Sequence, residues 1–300
     1  WLDQIEGDET IEKAKRVLRD IASNPEGHWY KFIKNLWADI DDKVRLRFFE
    51  NFIINATVIG RKRQRKYREQ YKCNIPWAIL LDPTSACNIK CIGCWAAEYG
   101  QQLNLSYETM DKIIRQGKEL DTYMYIYSGG EPLIRKKDII KLCKAHSDCQ
   151  FMAFTNGTLI DDEFAGEMLQ VKNFIPAISQ EGFEAETDAR RGKGTYQAGI
   201  KAMEILQRHK LPFGVSCCYT RNNVSVVGKE AYFDDLIKRG AKFAWFFTYM
   251  PIGAGAPLEL MVTAEQRAFM YRQIRKFRSS KPLFTIDFWN DGEYVEGCIA

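Results

Sequence analysis

From Trp77 to Tyr249, short apolar runs alternate with longer segments in which apolar residues recur every three or four positions. That alternation is typical of strands and helices that follow one another in a mostly parallel sheet. Six runs have the length and composition of buried strands. They are WAILLD (77–82), YMYIYS (123–128), FMAFT (151–155), FIPAIS (174–179), FGVSCCY (213–219) and FAWFFTY (243–249).

Parallel strands joined by right-handed helical crossovers either curl toward a barrel or spread into an open sheet. Six units favour an α/β fold built on a partial (β/α)6 TIM-like barrel, with an N-terminal helical region. Capping residues support the helices, because Ser106 can begin one of them and Thr263 with Gln266 forms a capping box for the last. In either arrangement the chemistry belongs at the carboxyl ends of the strands.

Three regions are expected: a helical and basic region at 1–72, the barrel at 73–262, and a helix and strand at 263–300 that we interpret as the start of a further, truncated domain. Residues 61–72, RKRQRKYREQYK, contain seven basic side chains and one acidic. They form a solvated basic helix or linker, or else a site of peripheral contact with a membrane, nucleic acid or an acidic partner. The formal charge of +4 gives no clear sign of nucleic acid as a partner of the whole chain.

Nine cysteines in 300 residues are too few for a disulfide scaffold, and an odd number cannot all pair within one chain. The opening WLDQIEGDET has none of the features of a secretory signal. The longest apolar runs are far shorter than the roughly 20 residues that span a bilayer. We therefore expect a globular protein of the reducing cytoplasm.

Three of the cysteines lie in DPTSACNIKCIGCW, directly after the first predicted strand. Thiolates from Cys87, Cys91 and Cys94 could ligate three irons of a [4Fe-4S] cluster and leave the fourth iron open. A zinc site would need a fourth Cys or His nearby, yet Cys73 lies fourteen residues upstream of Cys87 and the histidines are distant in sequence. An open cluster is favoured over zinc and over unliganded thiols.

This loop resembles the CxxxCxxC loop of the radical SAM superfamily, and the resemblance extends over roughly residues 77–255. The pattern is closest to the SPASM-like branches that modify peptides or proteins. It implies an oxygen-sensitive enzyme in which S-adenosylmethionine (SAM) binds the open iron. An electron from a donor such as flavodoxin or ferredoxin would then split SAM into methionine and a 5′-deoxyadenosyl radical, which abstracts a substrate hydrogen.

The next two strands end in motifs that also resemble the family. Gly129, Gly130 and Glu131 match its GGE element, in which glycine lets the backbone approach the ligand and the carboxylate accepts from the amino group of SAM. Asn156, in the TNG sequence after the third strand, is implied as a lining residue of the same pocket.

The fourth strand ends in ISQEG, followed by ETDARRG, and together these resemble the family's ISxDG and DxxRG segments. By that resemblance Ser179 and Arg191 hold the carboxylate of SAM. Glu181 stands where the family usually has Asp. Because Arg190 lies next to Arg191, either arginine could be the one that corresponds to the family's arginine. Two further SAM contacts are expected: Ser216 on the fifth strand and Ile252 after the sixth.

The resemblance leaves the substrate open, with a peptide or protein favoured. The alternative is an iron–sulfur or SAM-binding regulator whose basic N-terminal region contacts a membrane or nucleic acid. The aromatic residues of that region either pack onto the barrel or shape a cavity for an amphipathic substrate such as a lipid. In a longer chain, Cys298 could be a ligand of an auxiliary cluster.

Overall fold

A computed structural model describes residues 9–252 and 255–292 of the chain. Its centre is a seven-stranded sheet in which every strand is parallel to its neighbours and the strands follow sequence order. The strands are Ala78–Leu81 (β1), Met124–Tyr127 (β2), Gln150–Thr155 (β3), Phe174–Ser179 (β4), Gly214–Tyr219 (β5), Phe243–Thr248 (β6) and Phe284–Asp287 (β7). All seven carboxyl ends therefore meet at one edge.

The sheet curls into a partial barrel. Phe154 on β3 packs edge-on against Trp245 on β6, with 5.3 Å between the ring centroids. In a flat sheet these two strands would lie about 14 Å apart, because neighbouring strands are about 4.8 Å apart. Phe154 contacts Phe247 of β6 in the same way, at 5.4 Å. The concave face of the sheet is thus lined with aromatic side chains.

Helices precede the sheet and cover its convex face. Before the sheet lie Glu9–Ala22 (α1), His28–Asp39 (α2), Asp42–Phe48 (α3), a π-helix at Phe49–Gly60, and Arg61–Tyr71 (α4). The remaining α-helices are Tyr107–Glu119 (α5), Lys136–Ala145 (α6), Asp162–Val171 (α7), Glu184–Arg191 (α8), Thr195–Arg208 (α9), Val224–Val227 (α10), Glu230–Lys238 (α11) and Ala264–Arg278 (α12). Short 3-10 helices lie at Trp95–Tyr99, Pro132–Arg135 and Leu258–Leu260.

The segment from α3 to α4 packs across the amino ends of the first strands. The amide of Asn51 donates to the carbonyl of Cys149 at 2.8 Å, and that of Gln64 donates to the carbonyl of Asp121 at 3.0 Å. The indole of Trp77 donates to the carbonyl of Ala56 at 3.1 Å. These helices therefore close the end of the barrel opposite the edge where the carboxyl ends of the strands meet.

The predicted α/β fold with a partial barrel is confirmed, but the sheet has seven strands where the sequence pattern predicted six. The strand Phe284–Asp287 is four residues long and lies in the segment 263–300, where the sequence predicts a helix and a strand at the start of a further domain. It pairs in parallel with β6 and thus extends the barrel.

Both predicted helix caps are present. The hydroxyl of Ser106 accepts from the amide of Thr109, and Thr263 and Gln266 exchange both capping-box hydrogen bonds. Within residues 9–252 and 255–292, no helix is both long and apolar enough to cross a bilayer.

Candidate functional site

The loop that carries the three cysteines is fixed from two sides by backbone hydrogen bonds. On one side, the amides of Gly130 and Glu131 donate to the carbonyls of Thr84 and Ala86, at 2.9 and 2.8 Å. On the other side, the amide of Ile92 donates to a carbonyl at the end of α8, at 2.8 Å. The loop is therefore held between the turn after β2 and helix α8, at the mouth of the barrel.

Gly130 is required where the turn after β2 meets the cysteine loop. A Cβ atom placed on it would lie 2.2 Å from the carbonyl oxygen of Ala86, closer than any real Cβ contact. Gly129 has a φ of +94°, in the region that favours glycine. This is the close backbone approach expected of a GGE turn, and any larger residue at position 130 would push the cysteine loop away.

Glu131 is buried, and its carboxylate is held by three donors. The amide of Leu133 and the hydroxyl of Thr155 donate to Oε1 at 2.9 and 2.7 Å, and the amide of Asn156 donates to Oε2 at 2.8 Å. Burial raises the pKa of Glu131, while these donors act to lower it. The contacts leave Oε2 with capacity for one more donor, which suits a ligand ammonium group.

A buried ion-pair cluster lies beside the cysteine loop. Glu181 has no exposed surface, and its Oε1 accepts from Arg190 at 2.7 Å and from Arg191 at 2.5 to 2.7 Å. Burial acts to lower the pKa of Arg191, but the charges of Glu181 and Cys91 and the hydrogen bond to Glu181 together outweigh burial, and the pKa is raised. Two arginines and one carboxylate thus place a net positive charge at this wall of the mouth.

The ion-pair cluster reaches the cysteines directly, because Nη1 of Arg191 lies 3.8 Å from the sulfur of Cys91. Burial raises the pKa of Cys91, and Arg191 and then Arg190 act to lower it. Burial also raises the pKa of Cys87. A nearby guanidinium stabilises a thiolate, which is the form of cysteine that ligates iron.

Cys87, Cys91 and Cys94 are free, partly exposed and close together in sequence. In the described part of the chain, no three Cys, His, Asp or Glu side chains converge closely enough to hold one metal ion. In a cubane each thiolate binds a different iron, so its ligands need not converge on a point as zinc ligands do. The donor set, the adjacent guanidinium and the close backbone turn together fit a cluster with three protein ligands.

The other predicted SAM contacts fall into three places. The side-chain amide of Asn156 donates to Asn88 of the cysteine loop at 2.8 Å. Ser179 and Ser216 are buried on neighbouring strands, with their hydroxyl oxygens 2.9 Å apart. Ile252 is half exposed beyond β6. All these contacts with SAM stay predictions, and Cys298 lies outside the described residues.

Sequence reasoning missed Asp82, the residue that follows β1. Its Oδ1 is buried without a hydrogen-bond partner among the described residues, and burial raises its pKa. Together with Gly129 and Gly130 it lines a cavity of about 300 Å³ beside the cysteine loop. The available signal was strand alternation, which places residue 82 on the same face as 78 and 80.

We expect Glu181→Gln to destabilise the fold, because it leaves the buried charges of Arg190 and Arg191 without their carboxylate. Removing one partner of a buried ion pair costs about 3–5 kcal/mol. Denaturant unfolding of the variant measures this loss. The matched control is Glu204→Gln on α9. The side chain of Glu204 is exposed, so this substitution should lower the unfolding free energy by less than about 0.5 kcal/mol. Equal stability of the two variants would contradict a structural role for the ion-pair cluster.

Residues 81–224 match the model of the radical SAM superfamily, a family that implies a [4Fe-4S] cluster and SAM as cofactors. The chain is 26% identical over 230 residues to Fe-coproporphyrin III synthase of Methanosarcina barkeri, and the alignment covers 72% of this chain and 57% of that protein. It is 28% identical over 170 residues to PqqA peptide cyclase of Bradyrhizobium diazoefficiens, covering 54% and 44%. The chain thus spans about half the length of these relatives.

Among solved structures, the fold is similar to that of SuiB from Streptococcus suis, bound to its precursor peptide SuiA. The TM-score is 0.61 at 16% identity, and the match covers 78% of this chain and 54% of that one. At this identity the likeness shows the fold, and it agrees with the partial barrel derived from the strand contacts.

Proposed function

We propose that this chain, whose residues 81–224 match the model of the radical SAM superfamily, cleaves SAM reductively and abstracts a hydrogen atom from a peptide or protein. The observation that carries the proposal is the contact between Arg191 and the sulfur of Cys91, at the barrel mouth. A redox cluster with three thiolate ligands is anionic, and a buried guanidinium beside one ligand stabilises that charge.

Each residue of the mouth has a part in this proposal. Cys87, Cys91 and Cys94 hold three irons, and Glu131 accepts a hydrogen bond from the ammonium group of SAM. When bound and reduced, the [4Fe-4S] cluster supplies the electron that splits SAM into methionine and a 5′-deoxyadenosyl radical, which takes the substrate hydrogen. Ser179 remains the candidate for the carboxylate of SAM, because Arg191 is already engaged by Glu181 and Cys91.

The proposed substrate class rests on sequence relatives. One relative is named a peptide cyclase, whereas another is named for coproporphyrin, so the substrates of the relatives differ. We favour a peptide because the motifs after β4 resemble those of peptide-modifying branches. We also propose that a one-electron donor such as flavodoxin or ferredoxin reduces the cluster in the cytoplasm, where the eight free cysteines of the described residues would stay reduced.

Hydrogen abstraction is tested by isotope transfer. Short peptides encoded beside this gene would be made fully deuterated and incubated with reduced, cluster-loaded protein and SAM. We expect deuterium in the 5′-deoxyadenosine and a mass change in one peptide. If SAM is cleaved but no deuterium is transferred from any peptide or protein, the peptide assignment is wrong. Binding of SAM without cleavage would instead favour the regulatory alternative.

We expect Glu131→Gln to weaken SAM binding by about tenfold or more, because a charge-assisted hydrogen bond contributes about 1.5–3 kcal/mol. The introduced NH₂ group would also face one of the three donors that now surround the carboxylate. Equilibrium dialysis of SAM against the cluster-loaded protein measures the change. The control is Glu163→Gln, an exposed carboxylate on α7. Unchanged affinity in Glu131→Gln would remove this residue from the proposed SAM site.

A further inference from the structure

The N-terminal helices expose an unusual concentration of large apolar side chains. The exposed fractions are 61% for Trp37, 57% for Leu46, 45% for Phe49, 41% for Val58 and 37% for Ile59. Single exposed apolar residues are ordinary on a protein surface, whereas a group of them marks a contact surface. We call these five residues the apolar strip.

Four of the five residues of the apolar strip lie on one continuous helical segment, which runs from Asp42 to Tyr71 through α3, the π-helix and α4. The buried residues of this segment face the barrel: Val44, Asn51, Ala56, Gly60 and Gln64. Phe49 and Val58 are nine residues apart, about two turns of a π-helix, so they project from the same side. Trp37 joins the strip through Arg45, whose guanidinium carbon lies 4.6 Å from the centre of the indole ring.

The strip continues into a cationic surface on α4. Arg61, Arg65 and Lys66 are exposed, and the ion pairs of the described residues engage none of these three. Of the neighbouring cations, Arg63 forms an ion pair with Asp121 at 3.1 Å. Aromatic and aliphatic side chains next to exposed cations on one helical face are the pattern of helices that lie in the interface of an anionic bilayer.

We propose that the apolar strip and α4 dock this protein onto the surface of a membrane that contains anionic lipids. The apolar side chains enter the acyl boundary, and the cations of α4 contact lipid phosphates. The phosphates of a nucleic acid would bind the cations, but a nucleic acid has no apolar layer into which Leu46, Val58 and Ile59 could insert. The strip lies on the helices that close the amino end of the barrel, so a docked protein keeps the cysteine loop away from the bilayer.

Vesicle co-sedimentation tests the proposal with the full-length protein. We expect binding to phosphatidylcholine vesicles that contain about one third phosphatidylglycerol, and little binding to phosphatidylcholine alone. Raising the salt should weaken the binding without abolishing it, because the apolar side chains are inserted. The double variant Arg65→Gln/Lys66→Gln should lower the partition coefficient about 25-fold, at about fivefold per cation.

Matched variants distinguish the contributions of the apolar strip and of the α4 cations from the effect of simply removing positive charge. Trp37→Ser/Phe49→Ser should reduce binding at least about tenfold at every salt concentration. Lys201→Gln/Lys238→Gln, which removes two exposed lysines from α9 and α11, should bind like the wild type. Cys91→Ala should also bind like the wild type, which keeps this test independent of the proposed function.

Several results would overturn the proposal. One is wild-type protein that stays in the supernatant with anionic vesicles at low salt. Others are equal binding by Arg65→Gln/Lys66→Gln and the lysine control, or salt-dependent binding to nucleic acid without binding to vesicles.

Discussion

Cys91→Ala is expected to leave the protein without its iron–sulfur cluster and to stop the formation of 5′-deoxyadenosine from SAM. Cys91 is the central of the three proposed ligands and the one that Arg191 contacts, at 3.8 Å from its sulfur. Even changes outside the ligand sphere of a metal cost 10–100-fold in affinity or activity, so loss of a ligand should lower product formation at least about 100-fold. Iron and sulfide analysis, visible absorbance and product quantification measure the effect.

The matched control is Cys73→Ala. Cys73 is an exposed free thiol that precedes the barrel, and we expect its removal to leave cluster content and product formation unchanged. This control separates ligation from a general sensitivity to loss of a thiol. A Cys91→Ala protein that still holds a cluster and cleaves SAM would contradict the ligand assignment.

Gly130→Ala is expected to destabilise the protein and to lower cluster content after reconstitution. The new methyl group would overlap the backbone oxygen of Ala86, at 2.2 Å, and neither partner is a flexible side chain that could move aside. Relief requires the turn after β2 to separate from the cysteine loop, which breaks the hydrogen bonds from Gly130 and Glu131 to that loop. We expect a loss of about 1–3 kcal/mol in unfolding free energy, typical of strain and overpacking in a tight site.

Gly166→Ala is the opposite case. Gly166 lies within α7, and a Cβ atom placed on it meets nothing within 4 Å. Alanine should therefore stabilise the protein by about 0.5–1 kcal/mol, because it restricts the unfolded chain and favours the helix. Denaturant unfolding measures whether Gly130→Ala lowers the unfolding free energy and whether Gly166→Ala raises it. A neutral Gly130→Ala would mean that the cysteine loop can move without cost and that the turn does not fix it.

The elements that the sequence predicted well are those with a strong local signal. The strands from β2 to β6 carry uninterrupted apolar runs, and the predicted bounds lie within one residue of those observed. A strand was predicted within 263–300, but its place in the barrel was not, because its four residues, FTID, give too short a pattern. Its place in the sheet depends on pairing with β6, which is a tertiary contact that local periodicity does not encode.

The candidate site was only partly accessible from sequence. The cysteine spacing and the glycines at strand ends can be recognised because they reflect local geometry. The resemblance assigned Arg191 to the carboxylate of SAM, whereas the structure also joins it to Glu181 and Cys91. The buried Oδ1 of Asp82 was missed. Contacts between residues as far apart as 91 and 191 depend on how the strands order their loops, so they become visible only in the folded chain.

The most direct test uses wild-type protein, anaerobically reconstituted to about four iron and four sulfide per chain, then reduced with dithionite and supplied with SAM. We expect 5′-deoxyadenosine and methionine in equal amounts, formed only when both reductant and cluster are present. A fully reconstituted and reduced protein that binds SAM and releases neither product would contradict the proposed function.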